Sequence, residues 1–176
     1  MRKGLNMDPN VLHNLSYGMY VISSYKDDAL NAQIANAVFQ ITSEPVTIAI
    51  SINKKNLTHE FIDCSCRFAV TVLDEEAPLA FIGKFGFKTG RKKEKFKDIK
   101  FRKLPSGCPI ALDYAICYLE AEVVSKLDCG THTVFLGRMT GSEMIKPGKP
   151  MTYDYYHQVR KGTTPAAAPT FIREEI

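Results

Sequence analysis

Residues 31–62 read NAQIANAVFQITSEPVTIAISINKKNLTHEFI, and three kinds of segment follow one another within them. NAQIANAVFQITSEP (31–45) mixes small residues with amides and hydroxyls and halts at Pro45. VTIAISI (46–52) is the apolar, β-branched run that suits a strand. NKKNLTHEFI (53–62) turns from that strand toward a helix, and both Asn56 and Thr58 are chemically suitable caps. Small side chains at Ala32, Ala35 and Ala37 would let a flat ligand lie against the backbone, whose N–H and C=O groups can read its polar edge. Gln33, Asn36, Thr42 and Ser43 add side-chain partners. A polar edge strand would have the same composition. The strand-to-helix turn places Asn53, Lys54, Lys55, Asn56 and Thr58 together with the positive end of a helix. That set suits a phosphate dianion, each contribution being roughly 0.3–1 kcal/mol when exposed. Capping alone would also account for Asn56 and Thr58.

Outward from this stretch, β-rich runs recur at 17–24, 68–73, 115–127 and 131–141, short and regularly spaced as in a barrel or sandwich. Two helices interrupt them. One begins near Asn56 or Thr58 and covers HEFIDC; the other follows Glu75 and Glu76 and includes LAFIGKFG. The chain is mainly β with a few helices. At 176 residues and 45% hydrophobic it can form one domain burying on the order of two thirds of its unfolded surface. The Pro-rich run TTPAAAPTF follows a Tyr-rich segment, so the domain is expected to span 1–162, with 163–176 a tail that wraps a partner subunit or leads toward another domain.

The N-terminal MRKGLNMDPNVLHNL has no apolar core after its basic pair, and no stretch approaches the roughly 18 apolar residues of a membrane span, so a cytoplasmic protein without membrane attachment is expected. Five cysteines without a CxxC pair disfavour a disulfide framework and a thiolate metal site; free, mostly buried thiols and no bound metal are expected. Neither GxGxxG, a P-loop nor GxSxG occurs.

Charge is local. Residues 84–103 carry ten Lys and Arg against Glu94 and Asp98, although the whole chain is only +4, so the remainder is net acidic. This patch suits a phosphate, a nucleotide tail or an acidic redox partner. Within it, FGFKTGRKKEKF (85–96) offers Thr89, Arg91 and Lys95 between aromatic residues. A solvated basic loop would look the same. Stacking on single-stranded nucleic acid is the remaining reading, but no RNA or DNA motif accompanies it, and nucleic acid is not expected as a partner.

These elements, in this order, resemble the flavin reductase-like family with its FMN-binding split β-barrel, a Greek-key, six-stranded type, over nearly all of residues 8–162. A further match is GTHTVFLGRM (130–139), similar to the family's G-D-H-x-x-F-x-G strand with Thr131 where Asp is common. KTGRKKEKF and YDYYHQVRKGTTPAAAPTFI are similar to the flavoredoxin-type branch and to the flavin domain of high-molecular-weight rubredoxins. The resemblance implies that Gln33, Ile34, Ala35 and Asn36 border the isoalloxazine, with Thr42 and Ser43 in the same segment. It also implies that Asn53, Lys54, Asn56 and Thr58 hold the phosphate side, that Thr89, Arg91 and Lys95 close over it, and that Tyr155, Tyr156 and His157 approach from the C-terminal segment. His132 becomes the candidate contact to flavin or nicotinamide. An aromatic cluster near a domain end is also ordinary packing.

FMN rather than FAD is the implied cofactor and NAD(P)H the hydride donor, with no side-chain acid or base required. Two functions are compatible with this: an NAD(P)H-dependent reductase serving free flavin, a rubredoxin or a flavodiiron protein, or an FMN electron carrier that does not oxidise NAD(P)H itself. The family further implies a homodimer, and without a CxxC pair any iron centre is expected on another protein.

Overall fold

The computed structural model describes residues 9–170. The last six residues of the expected tail, and the first eight of the chain, lie outside them. A 3₁₀ turn over Pro9–Asn14 leads into nine strands and three α-helices: β1 (Tyr20–Lys26), β2 (Ala29–Ala35), β3 (Val38–Ser43), β4 (Val46–Asn53), α1 (Leu57–Ser65), β5 (Arg67–Leu73), α2 (Leu79–Gly86), β6 (Phe101–Lys103), β7 (Pro109–Ala111), β8 (Ala115–Cys129), β9 (His132–Met144) and α3 (Tyr153–Gln158).

Seven strands form one antiparallel sheet in the order β2-β1-β5-β8-β9-β4-β3, and β6 and β7 make a separate ribbon. The order dictates the shape. β2 and β3 are the two edges of the sheet, yet only Asn36 and Ala37 separate them in the chain. The adjoining ends of the two edges are therefore tied together, and the sheet curls into a barrel that stays split because β2 and β3 do not pair. Register shifts at Gln40/Thr42 in β3, Val72/Leu73 in β5, and Glu120/Ala121 and Val123/Ser125 in β8 supply local bending. The mainly β split-barrel class is as expected. The sheet has seven strands instead of six because the 31–45 segment divides at Asn36–Ala37 into two, a break that only pairing reveals.

Strand alternation feeds two cores. Val21 on β1 packs with Leu73, Phe81, Ile82 and Phe85 on the α2 side, while its neighbour Ile22 packs inside the barrel with Ile48, Ile50, Phe68, Val70 and Phe135. Gly137 in β9 is needed there, since a Cβ would come within 2.6 Å of the Phe68 ring. Helix α1 joins this core through Ile62 and ends at Cys66 in the left-handed conformation.

The cysteines are free, but the expectation that most are buried fails. Cys64, Cys66 and Cys129 are exposed, because they sit at the solvent end of α1 and at the β8–β9 turn; Cys108 is buried. Burial pushes the Cys108 thiol up to about 12. Among the described residues no helix is long and apolar enough to cross a membrane, and no cluster of His, Cys, Asp and Glu could hold a metal ion.

Candidate functional site

A cavity of about 390 Å³ opens along β2, and no β3 residue lines it. Its walls are β2, the end of β4, the first turn of α1, the end of α2 with the loop after it, His132, two tyrosines of α3 and residues 163–169.

Helix α1 presents its N-terminus to the cavity through Lys55, Asn56, Leu57 and Thr58. Asn56 occupies the cap position, but its side chain makes no capping hydrogen bond. The sequence expectation of a side-chain cap is thus corrected, and the Leu57 and Thr58 N–H groups are left for an anion, while that of His59 donates to the Asn56 carbonyl at 3.0 Å. Thr58 lies inside the helix, buried, and accepts a 2.8 Å hydrogen bond from Asn31 Nδ2 on β2. Its own hydroxyl proton remains available.

Two buried polar atoms of cavity-lining residues have no partner in the protein, Gln33 Oε1 and His132 Nε2. His132 pairs across the sheet with Asn53, and its Nδ1 lies 2.9 Å from the Thr131 hydroxyl. Thr131 therefore engages Nδ1, leaving Nε2 for the cavity. A buried polar atom without a partner costs about 1–3 kcal/mol, so two at one cavity mark positions that a ligand completes.

The loop after α2 contributes Phe87, Lys88, Thr89 and Gly90. Gly90 is held against β2, where a Cβ would stand 2.0 Å from Asn31 Oδ1. Lys95 also lines the cavity, yet only 3% of it is exposed, and its Nζ donates to the carbonyls of Lys84 and Phe85, each at 3.1 Å, and of Lys88. It ties the loop to the C-terminal end of α2, satisfying carbonyls that the helix leaves open. Burial lowers its ammonium to about 8.

The structure thus brings together at the cavity Gln33, Ile34, Ala35, Asn36, Asn53, Asn56, Thr58, Thr89, Lys95, Tyr156 and His132 of the expected set. Six others are placed elsewhere. Thr42 and Ser43 are exposed on β3 and do not line the cavity, with the Thr42 hydroxyl donating to the Pro45 carbonyl at 2.5 Å. Lys54 is paired with Asp128 at 2.6 Å, and Arg91 is paired with Glu60. Tyr155 points to the far side of α3, its ring 5.9 Å from Lys149 Nζ. His157 bonds the Gly162 carbonyl through Nδ1 at 2.9 Å.

Sequence reasoning passed over Asn31, Lys88, Tyr153 and residues 163–169. Asn31 opens the small-residue segment and Lys88 flanks Thr89, so both were within reach. The C-terminal residues were not, because their contacts are tertiary. Asn53 Nδ2 donates to the Ala167 carbonyl at 3.3 Å, Asn36 Nδ2 to Thr170 Oγ1 at 3.1 Å, and Tyr156 Oη to the Thr163 carbonyl at 3.0 Å.

This arrangement has relatives. The chain belongs to the family described as flavin reductase like domain, whose model matches residues 12–163. It is 52% identical over 165 residues to a high molecular weight rubredoxin of Moorella thermoacetica, covering 94% of this chain and 72% of that protein. It is 39% identical over 169 residues to a ferric-chelate reductase (NAD(P)H) of Archaeoglobus fulgidus, covering 96% and 100%. Among solved structures, an FMN-binding protein from Thermus thermophilus superposes with a TM-score of 0.75 at 20% identity, covering 87% of this chain and 90% of that one.

Proposed function

We propose that the chain binds FMN in this cavity and works as an NAD(P)H-dependent flavin or flavoprotein reductase. The observation that carries the reading is the convergence on one cavity of Gln33 Oε1, His132 Nε2 and the uncapped N-terminus of α1. The donor set fits a flavin monophosphate: an anion site at one end, a wall of small residues and backbone along β2, and a pair of unmet polar atoms between.

Bound flavin would supply the redox chemistry, taking a hydride from NAD(P)H and passing electrons to an acceptor. The protein's part is binding and orientation. Lys55, Lys88, Thr58 and the first-turn amides hold the phosphate; Gln33, Asn36 and Asn53 offer amides to the polar edge of the ring; His132 Nε2 faces the reacting region. Positive charge from Lys55 and Lys88 favours the reduced, anionic cofactor.

A redox protein is the proposed electron partner. Lys92, Lys93, Lys97, Lys100 and Lys103 are exposed and make no ion pair among the described residues, and Phe87, 51% exposed, lines the cavity. An acidic partner would be steered to that face. A homodimer is supported by the exposed Phe39, Ile41 and Val46 on and beside edge strand β3, and a cytoplasmic site by the free thiols.

The second reading, an FMN carrier that does not oxidise NAD(P)H, is favoured by residues 163–170 crossing the cavity. A visible spectrum of the purified protein, followed by NADH or NADPH without oxygen, separates the two. Prompt bleaching of the flavin band is the expected result; bleaching only by dithionite or a reduced partner supports the carrier. A colourless protein unable to take up FMN overturns both.

A further inference from the structure

Residues 163–170 are a strap across the cavity. On the α3 side Tyr153 Oη lies 2.5 Å from Thr164 Oγ1 and 2.8 Å from Thr170 Oγ1, and His157 Nε2 lies 3.3 Å from Thr164 Oγ1. On the sheet side the strap is held by Asn53 at Ala167 and by Asn36 at Thr170. Between these anchors Pro165, Ala166, Ala167, Ala168 and Pro169 face the cavity with small, apolar surfaces and no side-chain donor.

Two consequences follow from this construction. With the strap seated, the remaining space of about 390 Å³ lies near the bottom of the roughly 300–1,000 Å³ typical of small-molecule sites, enough for one mid-sized ligand but not for a second stacked on it. The strap is also held by a few neutral hydrogen bonds and by little apolar burial, since Thr163, Ala166 and Pro169 are exposed. Segments of that kind open at low free-energy cost.

We propose that residues 163–170 select what reaches the bound flavin: seated, the strap shields one face of the site, and lifted, it admits a second planar substrate such as a nicotinamide or a free flavin. This rests on the flavin reading. The same Asn36 and Asn53 amides that would border the cofactor hold the strap, so occupancy of the cavity and seating of the strap are coupled through two side chains. Thr170 is the latch, because its hydroxyl meets Asn36 and Tyr153 at once.

The test uses Thr170→Val, which removes both latch bonds and keeps the side-chain shape, a truncation after Gly162, and a truncation after Thr170 that retains the strap. In the FMN-free protein, amide hydrogen exchange across 163–170 should accelerate in Thr170→Val by about fivefold for each bond lost. With FMN bound, quenching of flavin fluorescence by iodide should rise in Thr170→Val and in the truncation after Gly162, and stay at the wild-type level in the truncation after Thr170. The apparent KM for NADH should fall in the same two variants. Unchanged exchange in Thr170→Val overturns the latch, and unchanged quenching with FMN bound overturns the selection while leaving the flavin reading intact. A wild-type chain that takes up no FMN overturns the flavin reading and the selection with it.

Discussion

Asn31 Nδ2 donates to Thr58 Oγ1 at 2.8 Å, and both side chains are buried. This bond joins edge strand β2 to the first turn of α1, the two elements that would bracket a flavin between its ring and its phosphate. Thr58→Val keeps the volume but strands the Asn31 amide, so unfolding free energy should fall by about 1–3 kcal/mol. FMN affinity should fall with it. Urea denaturation and fluorescence titration measure the two, and a stability change below about 0.5 kcal/mol would show that the bond is not structural.

Gly83 inside α2 and Gly90 in the loop after it make a matched pair. Gly90→Ala would put a methyl group 2.0 Å from Asn31 Oδ1, whereas a Cβ at Gly83 meets nothing within 4 Å. Gly90→Ala should weaken FMN binding by about tenfold or more, the effect of losing roughly 1.4 kcal/mol of loop placement. Gly83→Ala, inside α2, should instead stabilise the protein by about 0.5–1 kcal/mol through helix propensity. Titration and thermal melts of both variants decide it.

Arg91 was read from the sequence as closing over the phosphate, but its guanidinium is paired with the exposed Glu60 carboxylate. Such surface pairs contribute about 0–1 kcal/mol. Arg91→Ala should therefore change FMN affinity by less than about fivefold. A larger loss would return Arg91 to the site.

Lys95 gives a pH signature. Burial holds its ammonium near pKa 8, below the ordinary lysine value of 10.5 carried by the unfolded chain. Between those two values the unfolded state binds more protons, so this group's contribution to stability rises as pH goes from about 8 to 10.5. Lys95→Met abolishes that slope and leaves two carbonyls at the end of α2 and one in the loop after it without their donor. Unfolding curves at pH 7 and pH 10 should show a larger gap between wild type and variant at the higher pH; an equal gap would mean that the lysine keeps its proton throughout.

The basic face can be tested by ionic strength. If an acidic redox protein docks beside Phe87, its association rate should fall steeply with salt, and Lys92→Glu with Lys93→Glu should lower it by about tenfold or more while FMN affinity is unchanged. Stopped-flow mixing with a reduced acidic partner at two salt concentrations provides the measurement.

Local chemistry carried much of this into the sequence. The β-rich runs matched strands because β-branched residues pack on a pleated, half-buried surface. The turn NKKNLTHEFI matched a helix start because Asn and Thr favour such positions. Two misplacements share a different cause. Thr42 and Ser43 look identical to Gln33 and Asn36 in composition, yet the chain crosses from one sheet edge to the other at Asn36–Ala37, and pairing alone decides which side faces the cavity. Helix α3 escaped notice because six residues show no periodicity. Its signal was Thr152, whose side chain accepts from the Tyr155 amide, with Asp154 in the first turn. Residues 163–170 read as a tail from their prolines and alanines; nothing in that composition announces Asn36 and Asn53 reaching across to them.

The two-residue link between β2 and β3 works like the buckle of a belt. Asn36 and Ala37 tie one edge strand of the sheet to the other, so the barrel is fastened at a point where Asn36 lines the cavity. Lengthening the link by a glycine or two would let the belt out without touching any core side chain, and would place the added slack where the cofactor is proposed to sit. For anyone wishing to retune this protein toward bulkier substrates, that buckle is the position to loosen first.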